Sequence, residues 1–356
     1  MIKDILREFS IEGTGLVVQA FGSGLINHTW IVTDSGNKYI LQKINKHVFN
    51  EPHNIDNNLR LLADYLTQYY PGYLFTKPLY TRNNKSLIEP DNNACYRLFR
   101  FVEGSHSYTV VEEKELAYEA ARQFGKFTRL LAGFDISNLK ITLPDFHNLV
   151  LRYKQFETSI AAASKERLTK AADFINILTA CKPIVDVYES ILVNPCFKNR
   201  VTHHDTKISN VLFDSKNRGL CVIDLDTVMP GHFISDVGDM MRTYLSPAGE
   251  EETNFSKVDV REDYFEAIVN GYLSEMQEEL TDAEKDYFIY AGKFMIYMQA
   301  LRFMADYLNN DIYYGAKYEE HNLNRAINQI TLLNKLVEKE TKLKEIVACS
   351  LLVNNK

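Results

Sequence analysis

The chain has 356 residues, a formal net charge of −7 and an apolar share of 46%, so it can bury a large core and should fold as about two domains. No block of like charge occurs, which argues against a nucleic-acid groove and against a basic membrane patch. The five cysteines are scattered and odd in number, so neither a disulfide framework nor a zinc site is expected. With no apolar signal core and no run of membrane-spanning length, we expect a cytoplasmic protein with small-molecule partners.

The first hundred residues predict a β-rich domain. Residues 1–10 have apolar residues at helical spacing, and alternating apolar residues with two turns predict three antiparallel strands between residues 16 and 44. A helix is expected over residues 52–69, because Pro52 suits a first helical turn.

The turn between the first two strands contains Gly22, Ser23 and Gly24. Glycines permit close backbone approach, and their N–H groups can face an anion. The same residues also suit a plain hairpin turn. Because the turn precedes the motif described below, we interpret it as a flap that covers nucleotide phosphates.

The third strand should carry a group that contacts the α- and β-phosphates. Lys43 is one candidate, and a one-residue shift in register would place Gln42 there instead. Lys43 also fits a solvated lysine on an edge strand. Glu51, at the start of the following helix, and Asp56, within it, are alternative partners for Lys43.

A strong apolar strand runs from Cys95 to Val102 and ends at an acid and a glycine. We predict that it leads into a hinge whose backbone hydrogen-bonds an adenine edge, with Phe99 and Phe101 lining the nucleotide site. A plain core strand would have the same residues.

Beyond residue 110 the periodicity becomes helical. The predicted helices cover residues 110–132, 146–162, 164–179, 183–193, 261–279, 282–309 and 320–347. We therefore expect an α+β, two-lobed fold of the protein-kinase type, with a nucleotide-binding lobe at residues 1–101 and a helical lobe at residues 102–356 that carries the catalytic loop and the acceptor site.

Residues 201–226 contain the motif that organises this interpretation. His203, Asp205 and Asn210 have the spacing H-x-D-x-x-x-x-N, and Asp224 follows a predicted hairpin with strands at 211–213 and 219–223. Transfer of a γ-phosphoryl group needs a carboxylate to orient the acceptor hydroxyl and oxygen ligands to hold Mg²⁺. We assign Asp205 as the base and Asn210 and Asp224 as the Mg²⁺ ligands of an ATP-dependent phosphotransferase.

The motif has two alternative interpretations, a solvated loop and a transition-metal site. Its acids suit a solvated loop before an ordinary hairpin. A transition-metal site formed by His203, His204 and His232 is disfavoured, because adjacent histidines on an extended segment point to opposite faces.

Asp236 and Asp239 lie where kinase-like folds use an acid to brace the catalytic loop. The alternative is that one of them caps the N-terminus of the next helix.

Arg302 falls on an apolar stripe of a predicted helix, seven residues after Met295. A charge on such a face should have a partner. Asp306, four residues later, would provide one in a structural ion pair. The functional alternative places Arg302 at the acceptor site, where Tyr314 is also available to hydrogen-bond a polyol.

The sequence resembles the N-acetylhexosamine 1-kinases, which belong to the aminoglycoside/choline kinase superfamily of protein-kinase-like folds. The resemblance is carried chiefly by residues 203–213 and 222–231, and it extends to 39–45, 101–104 and 301–308. It implies transfer of phosphate from ATP, with Mg²⁺, to the anomeric hydroxyl of N-acetylglucosamine or N-acetylgalactosamine.

Carried over by position, the resemblance implies Asp205 as base, Asn210 and Asp224 as Mg²⁺ ligands, Asp226 near the metal or the sugar, and Arg302 in the acceptor site. The choice between Gln42 and Lys43 stays open. Two rival functions are a kinase of another small alcohol, such as choline, homoserine or an aminoglycoside, and a nucleotide-binding regulator without turnover.

Overall fold

The computed structural model describes residues 2–22, 26–91 and 94–353. It has a mixed α+β fold whose chain divides into two compact units. The first unit comprises Met1–His106, Gly133–Pro144 and Leu212–Pro230, and the second comprises Ser107–Ala132, Asp145–Val211 and Gly231–Lys356.

The first unit contains an antiparallel five-stranded sheet with the strand order β1-β2-β3-β5-β4. The prediction of three antiparallel strands before residue 45 is confirmed. The strands are β1 (Val17–Ala20), β2 (His28–Asp34), β3 (Asn37–Ile44), β4 (Ile88–Asp91) and β5 (Ala94–Arg100).

One face of this sheet packs against helix α1 (Ile2–Glu8). Leu6, Val32, Leu41 and Leu98 are each 0% exposed in this core. Alternate residues of a strand share a face, so Leu41 turns towards α1 while Gln42 turns to the opposite face.

Helix α2 (Pro52–Tyr69) begins at the predicted proline. Its Asn58 is 1% exposed and donates to the backbone carbonyls of Lys140 (2.8 Å) and Val228 (3.0 Å), while its Oδ1 accepts from the Lys140 N–H. One buried amide thus joins the three chain segments that make up the first unit.

A hairpin formed by β7 (Val211–Phe213) and β8 (Gly219–Val222) precedes Asp224. Its turn is closed by the Asp214 N–H, which donates to the Arg218 carbonyl at 2.9 Å. The predicted hairpin is therefore confirmed. Two further short strands are β6 (Arg200–Thr202) and β9 (Met229–Gly231).

The second unit is helical, and α10 is almost wholly buried within it. Its helices are α3 (Lys114–Leu130), α4 (Leu149–Ala162), α5 (Lys165–Ala180), α6 (Pro183–Val193), α7 (Phe233–Tyr244), α8 (Glu262–Met276), α9 (Asp282–Lys285), α10 (Phe288–Leu308), α11 (His321–Glu338) and α12 (Glu340–Val353).

Two predicted helices are each divided in the structure. The helix expected over 282–309 breaks before Phe288, where the Tyr287 N–H donates to the Glu284 carbonyl in a tighter turn. The helix expected over 320–347 breaks at Lys339, whose ammonium donates to Asp259 and to the Val260 carbonyl. Apolar periodicity continues through both breaks, so it did not reveal them. Among the described helices, none combines the length and the hydropathy needed to cross a membrane.

The contact between α3 and α8 depends on Gly271. A Cβ atom at this position would lie 2.2 Å from the Tyr118 carbonyl oxygen. We expect Gly271→Ala to lower the free energy of unfolding by about 1–3 kcal/mol, because the backbone of α3 must shift to make room. Gly249→Ala is the matched control, since a Cβ there meets nothing within 4 Å. Urea unfolding of both variants checks this, and equal stabilities would contradict it.

Candidate active site

Asp205 lies in a short loop between β6 and the 3-10 turn Ile208–Asn210. Asn210 Nδ2 donates to the Asp205 carbonyl at 2.8 Å and to its Oδ2 at 3.0 Å. The Lys207 ammonium lies 3.0 Å from Asp205 Oδ1. The carboxylate is partly exposed and held from both sides, as a base that must meet an acceptor hydroxyl requires.

Asp236 fixes the backbone just before the base. Its two oxygens accept from the His203 N–H at 3.0 Å and from the His204 N–H at 2.7 Å. His204 has a φ of 67°, a region in which residues with a side chain are strained. The two hydrogen bonds hold this strained peptide in place.

Asp239, one turn further along α7, accepts from the Thr206 N–H at 2.8 Å and pairs with Arg242 at 3.1 Å. Because α7 begins at Phe233, both acids lie inside the helix and neither caps it. The geometry supports the bracing interpretation over the capping one.

Burial dominates the electrostatics of these acids. It raises the pKa of Asp236 to about 7, against the lowering effect of the two backbone N–H donors. Burial also raises the pKa of Asp239, although the Arg242 guanidinium acts in the opposite direction. Two acids that resist ionisation in this way are typical of functional regions.

The residues assigned to Mg²⁺ have suitable chemistry, each within its own unit. Asn210 donates its side-chain amide N–H groups to Asp205. Its Oδ1 accepts no hydrogen bond from any residue in the described ranges. Asp224 is exposed and has a φ of 58°, directly before the 3-10 turn Leu225–Thr227. Amide and carboxylate oxygens are the hard ligands that Mg²⁺ takes, so the donor set fits this ion.

Asp226 has surroundings unlike those of Asp224. It is 2% exposed, Arg97 Nη2 lies 2.5 Å from its Oδ1, and Asn27 Nδ2 donates to its Oδ2 at 2.8 Å. The structure therefore places Asp226 among protein side chains of the first unit, with Oδ1 in an ion pair and Oδ2 in a hydrogen bond.

Gln42 and Lys43 lie on opposite faces of β3. Gln42 Oε1 accepts from Arg97 Nε at 3.1 Å and from its Nη2 at 2.8 Å, on the face that carries Asp226. The Lys43 ammonium lies 6.0 Å from the centre of the Tyr96 ring on the α1 side of the sheet. Lys43 forms no ion pair with Glu51, Asp56 or any other described residue.

Of the predicted flap, only Gly22 falls within the described residues; Ser23 and Gly24 lie outside them. Gly22 has a φ of 77°, which a residue with a side chain rarely adopts. Phe101 packs edge-on against Phe21, with ring centres 6.3 Å apart. This contact brings the end of β1 next to the predicted hinge.

Of the two alternatives for Arg302, the ion pair with Asp306 does not form in the structure. Asp306 instead accepts from the Tyr313 and Tyr314 N–H groups at 2.7 and 2.9 Å. Arg302 donates to Gln299 at 3.2 Å and lies 5.5 Å from the centre of the Tyr314 ring. Gln299 Nε2 in turn donates to the Tyr314 hydroxyl at 3.3 Å, so Arg302 and Tyr314 belong to one cluster.

His147 connects this cluster to the catalytic loop. Its Nδ1 lies 3.4 Å from His204 Nδ1. Its pKa is lowered well below the usual value by burial and then by the charges of His204 and Arg302. The charge of Arg302 therefore lowers the pKa of His147, which lies beside the loop that carries Asp205.

Sequence reasoning missed His147 and Arg97. His147 lies in a stretch of mixed polarity without a motif, so nothing in the sequence distinguished it. Arg97 left a signal, because a charged residue in the middle of an apolar strand must find a buried partner. No cluster of three or more histidine, cysteine or acidic residues suited to a metal occurs in the described part of the chain.

The solved structures that are similar to this chain include three small-molecule phosphotransferases. A microcompartment-associated aminopropanol kinase is 15% identical, with a TM-score of 0.63 over 96% of this chain and 98% of that one. A spectinomycin phosphotransferase in complex with ADP and spectinomycin is 15% identical, with a TM-score of 0.57 over 95% and 97%. A choline kinase from Cryptosporidium parvum is 15% identical, with a TM-score of 0.60 over 95% and 96%. At these identities the likeness establishes the fold.

The fold is that of small-molecule kinases of the aminoglycoside and choline kinase type. The sequence model of the phosphotransferase enzyme family matches residues 17–277, and the chain belongs to that family. Such enzymes use ATP with Mg²⁺ as the phosphoryl donor.

The raised pKa of Asp236 predicts a pH-dependent stability. The folded protein holds a proton on this carboxyl up to about pH 7, whereas the unfolded chain releases it near the ordinary value of 3.8. The contribution of this group to stability is therefore present below about pH 4 and is lost as the pH rises towards 7. Urea unfolding at pH 5 and pH 7 should show the wild type losing stability relative to Asp236→Asn, which cannot titrate. A constant difference between the two proteins would contradict the prediction.

Proposed function

We propose that the chain transfers the γ-phosphoryl group of ATP to the anomeric hydroxyl of an N-acetylhexosamine, N-acetylglucosamine or N-acetylgalactosamine, and releases the sugar 1-phosphate. The reaction would take place in the cytoplasm. Residues 1–101 would form the nucleotide-binding lobe, and residues 102–356 would supply the catalytic loop and the acceptor site.

The charge around Arg302 is the observation that carries the choice of acceptor. Arg302 is partly buried, and no residue that the structure describes forms an ion pair with it. The pKa of Arg152 is lowered by burial and then by the charge of Arg302, so a second guanidinium lies within electrostatic reach. No carboxylate in the described part of the chain forms an ion pair with either guanidinium, and two such cations repel an ammonium group. They suit an acceptor rich in carbonyl and hydroxyl oxygens.

The proposed chemistry follows from the contacts of Asp205. Its Oδ1 and Oδ2 are oriented by Lys207 and Asn210, so the carboxylate is fixed when it accepts the proton of the sugar hydroxyl. A bound Mg²⁺ would neutralise charge on the phosphates, and the oxygens of Asn210 and Asp224 would hold it. Arg302 and Tyr314 would hydrogen-bond the sugar.

The nucleotide would lie against the first unit. Phe99 and Phe101 would line the adenine site, and the flap residues Gly22, Ser23 and Gly24 would approach the phosphates. For the sequence alternatives Gln42 and Lys43, the shared face with Asp226 favours Gln42.

Positioning should contribute more than proton transfer. Holding two substrates in reactive geometry supplies about 7–11 kcal/mol, whereas a positioned base contributes about 10²–10⁴-fold, or roughly 3–5 kcal/mol. Loss of the base should therefore lower the rate less than loss of the groups that position the two substrates.

Asp205→Asn should lower kcat by about two decades or more and leave ATP binding intact, because the amide keeps the shape and cannot take the proton. Asp224→Ala should abolish turnover through loss of the metal. Steady-state kinetics and titration with MgATP separate the two effects. Wild-type kcat in Asp205→Asn would show that the base is another group.

The acceptor is tested by ADP release with MgATP and a panel of alcohols. N-acetylglucosamine and N-acetylgalactosamine should support release, and their 1-O-methyl glycosides should not, because the anomeric oxygen is blocked. Equal release with the blocked sugars would move the reaction to another hydroxyl. Release with choline or aminopropanol alone would support the other small-alcohol kinases, and no release with any acceptor would support a regulator without turnover.

The same panel applied to Arg302→Met tests the charge argument. We expect kcat/KM for the N-acetylhexosamine to fall by about tenfold to a hundredfold through loss of charged hydrogen bonds, with the KM for MgATP unchanged. Arg302→Lys keeps the charge but loses the planar fork, so it should recover part of the loss. A gain in activity towards the sugar in Arg302→Met would contradict the assignment.

A further inference from the structure

The paired strands β3 and β5 carry a change of polarity along one face. Gln42 lies opposite Arg97, and Ile40 lies opposite Phe99. Since alternate residues share a face, these four side chains lie together, apolar at one end and cationic at the other. A nucleotide presents the same order, an apolar base followed by anionic phosphates.

Arg97 is held almost entirely out of water, with 2% of its surface exposed. Its Nε and Nη2 donate to Gln42 Oε1, and its Nη2 also meets Asp226. Its Nη1 has no hydrogen-bond acceptor among residues 2–22, 26–91 and 94–353. A buried donor without an acceptor destabilises a protein unless a ligand or water completes it.

The surroundings of Arg97 fix the plane of its guanidinium. Asp226 neutralises the charge, and Asn27 holds Asp226 from the other side at 2.8 Å. Asn27 Oδ1 also accepts from the Asn45 N–H at 3.0 Å, which ties the end of the turn region to the end of β3. The direction of Nη1 is therefore set by three neighbouring segments of the first unit.

Protein kinases place a strand lysine, paired with a glutamate, against the α- and β-phosphates. In this chain β3 has two lysines: Lys43 faces α1, and Lys38, at the start of the strand, pairs with Glu103 at 3.5 Å. Arg97 and Asp226 form a cation and carboxylate pair on the other face, supplied by β5 and by the segment after Asp224.

We propose that Arg97 is a nucleotide-binding residue whose Nη1 donates to a phosphate oxygen of ATP, with Gln42 and Asp226 holding its guanidinium in place. The proposal rests on the use of ATP and is independent of the identity of the acceptor. It also gives Asp226 the part of a positioning residue for Arg97.

The test compares two variants of the full chain that share one change. Asp226→Asn keeps the Arg97 charge and the acceptor for Asn27. Arg97→Met/Asp226→Asn removes the whole ion pair, a replacement that buried pairs tolerate better than the loss of one partner. Calorimetric titration with MgADP and with adenosine, without any acceptor, measures phosphate and base binding separately.

We expect the double variant to bind MgADP about tenfold to a hundredfold more weakly than Asp226→Asn, the range for a charged hydrogen bond, and adenosine equally well. Arg97→Lys should fall between the wild type and the double variant. Arg100→Met is the control, since Arg100 is exposed on the same strand, and its binding should match the wild type.

Equal MgADP affinity in Asp226→Asn and the double variant would overturn the proposal, as would parallel losses for MgADP and adenosine, which indicate a structural role. If the double variant does not fold, the comparison of Arg97→Lys with the wild type decides in the same way. Binding of MgADP without turnover of any sugar would leave this proposal standing and remove the proposed acceptor.

Discussion

The catalytic loop depends on one buried carboxylate. Asp236 accepts from two consecutive backbone N–H groups, those of His203 and His204, and the second of these residues has a strained positive φ. Asp205 follows directly, so its position depends on the His203–His204 peptide, which the side chain of Asp236 holds in place. The buried carboxyl of Asp236, whose ionisation is disfavoured by desolvation, thus determines the position of the partly exposed carboxylate of Asp205.

The first unit also has one buried and one exposed carboxylate close together, within a segment of three residues. Asp224 is exposed at the left-handed start of a 3-10 turn, whereas Asp226 is buried against Arg97 and Asn27. The two carboxylates have the same chemistry and opposite surroundings. One is exposed at the surface, and the other lies in the protein interior.

The sequence predicted the sheet, α2, the hairpin before Asp224 and the α+β class, because alternation and helical periodicity report directly on which face is buried. It predicted the candidate catalytic residues of the loop through their spacing. It did not resolve Gln42 from Lys43, since that choice depends on strand register. It also left open an ion pair between Arg302 and Asp306, whose oxygens are taken by two backbone N–H groups. Contacts over long sequence separations, such as Arg97 with Asp226, have no local pattern to reveal them.

The amide of Asn58 has a consequence for the order of synthesis. Its acceptor at Val228 is encoded 170 residues later, and the first unit also needs the segment Gly133–Pro144. At about 5–20 residues per second on a ribosome, the side chain waits roughly 9 to 34 seconds for that carbonyl. The first unit is therefore incomplete while much of the helical chain emerges, although all five strands of its sheet have already been synthesised.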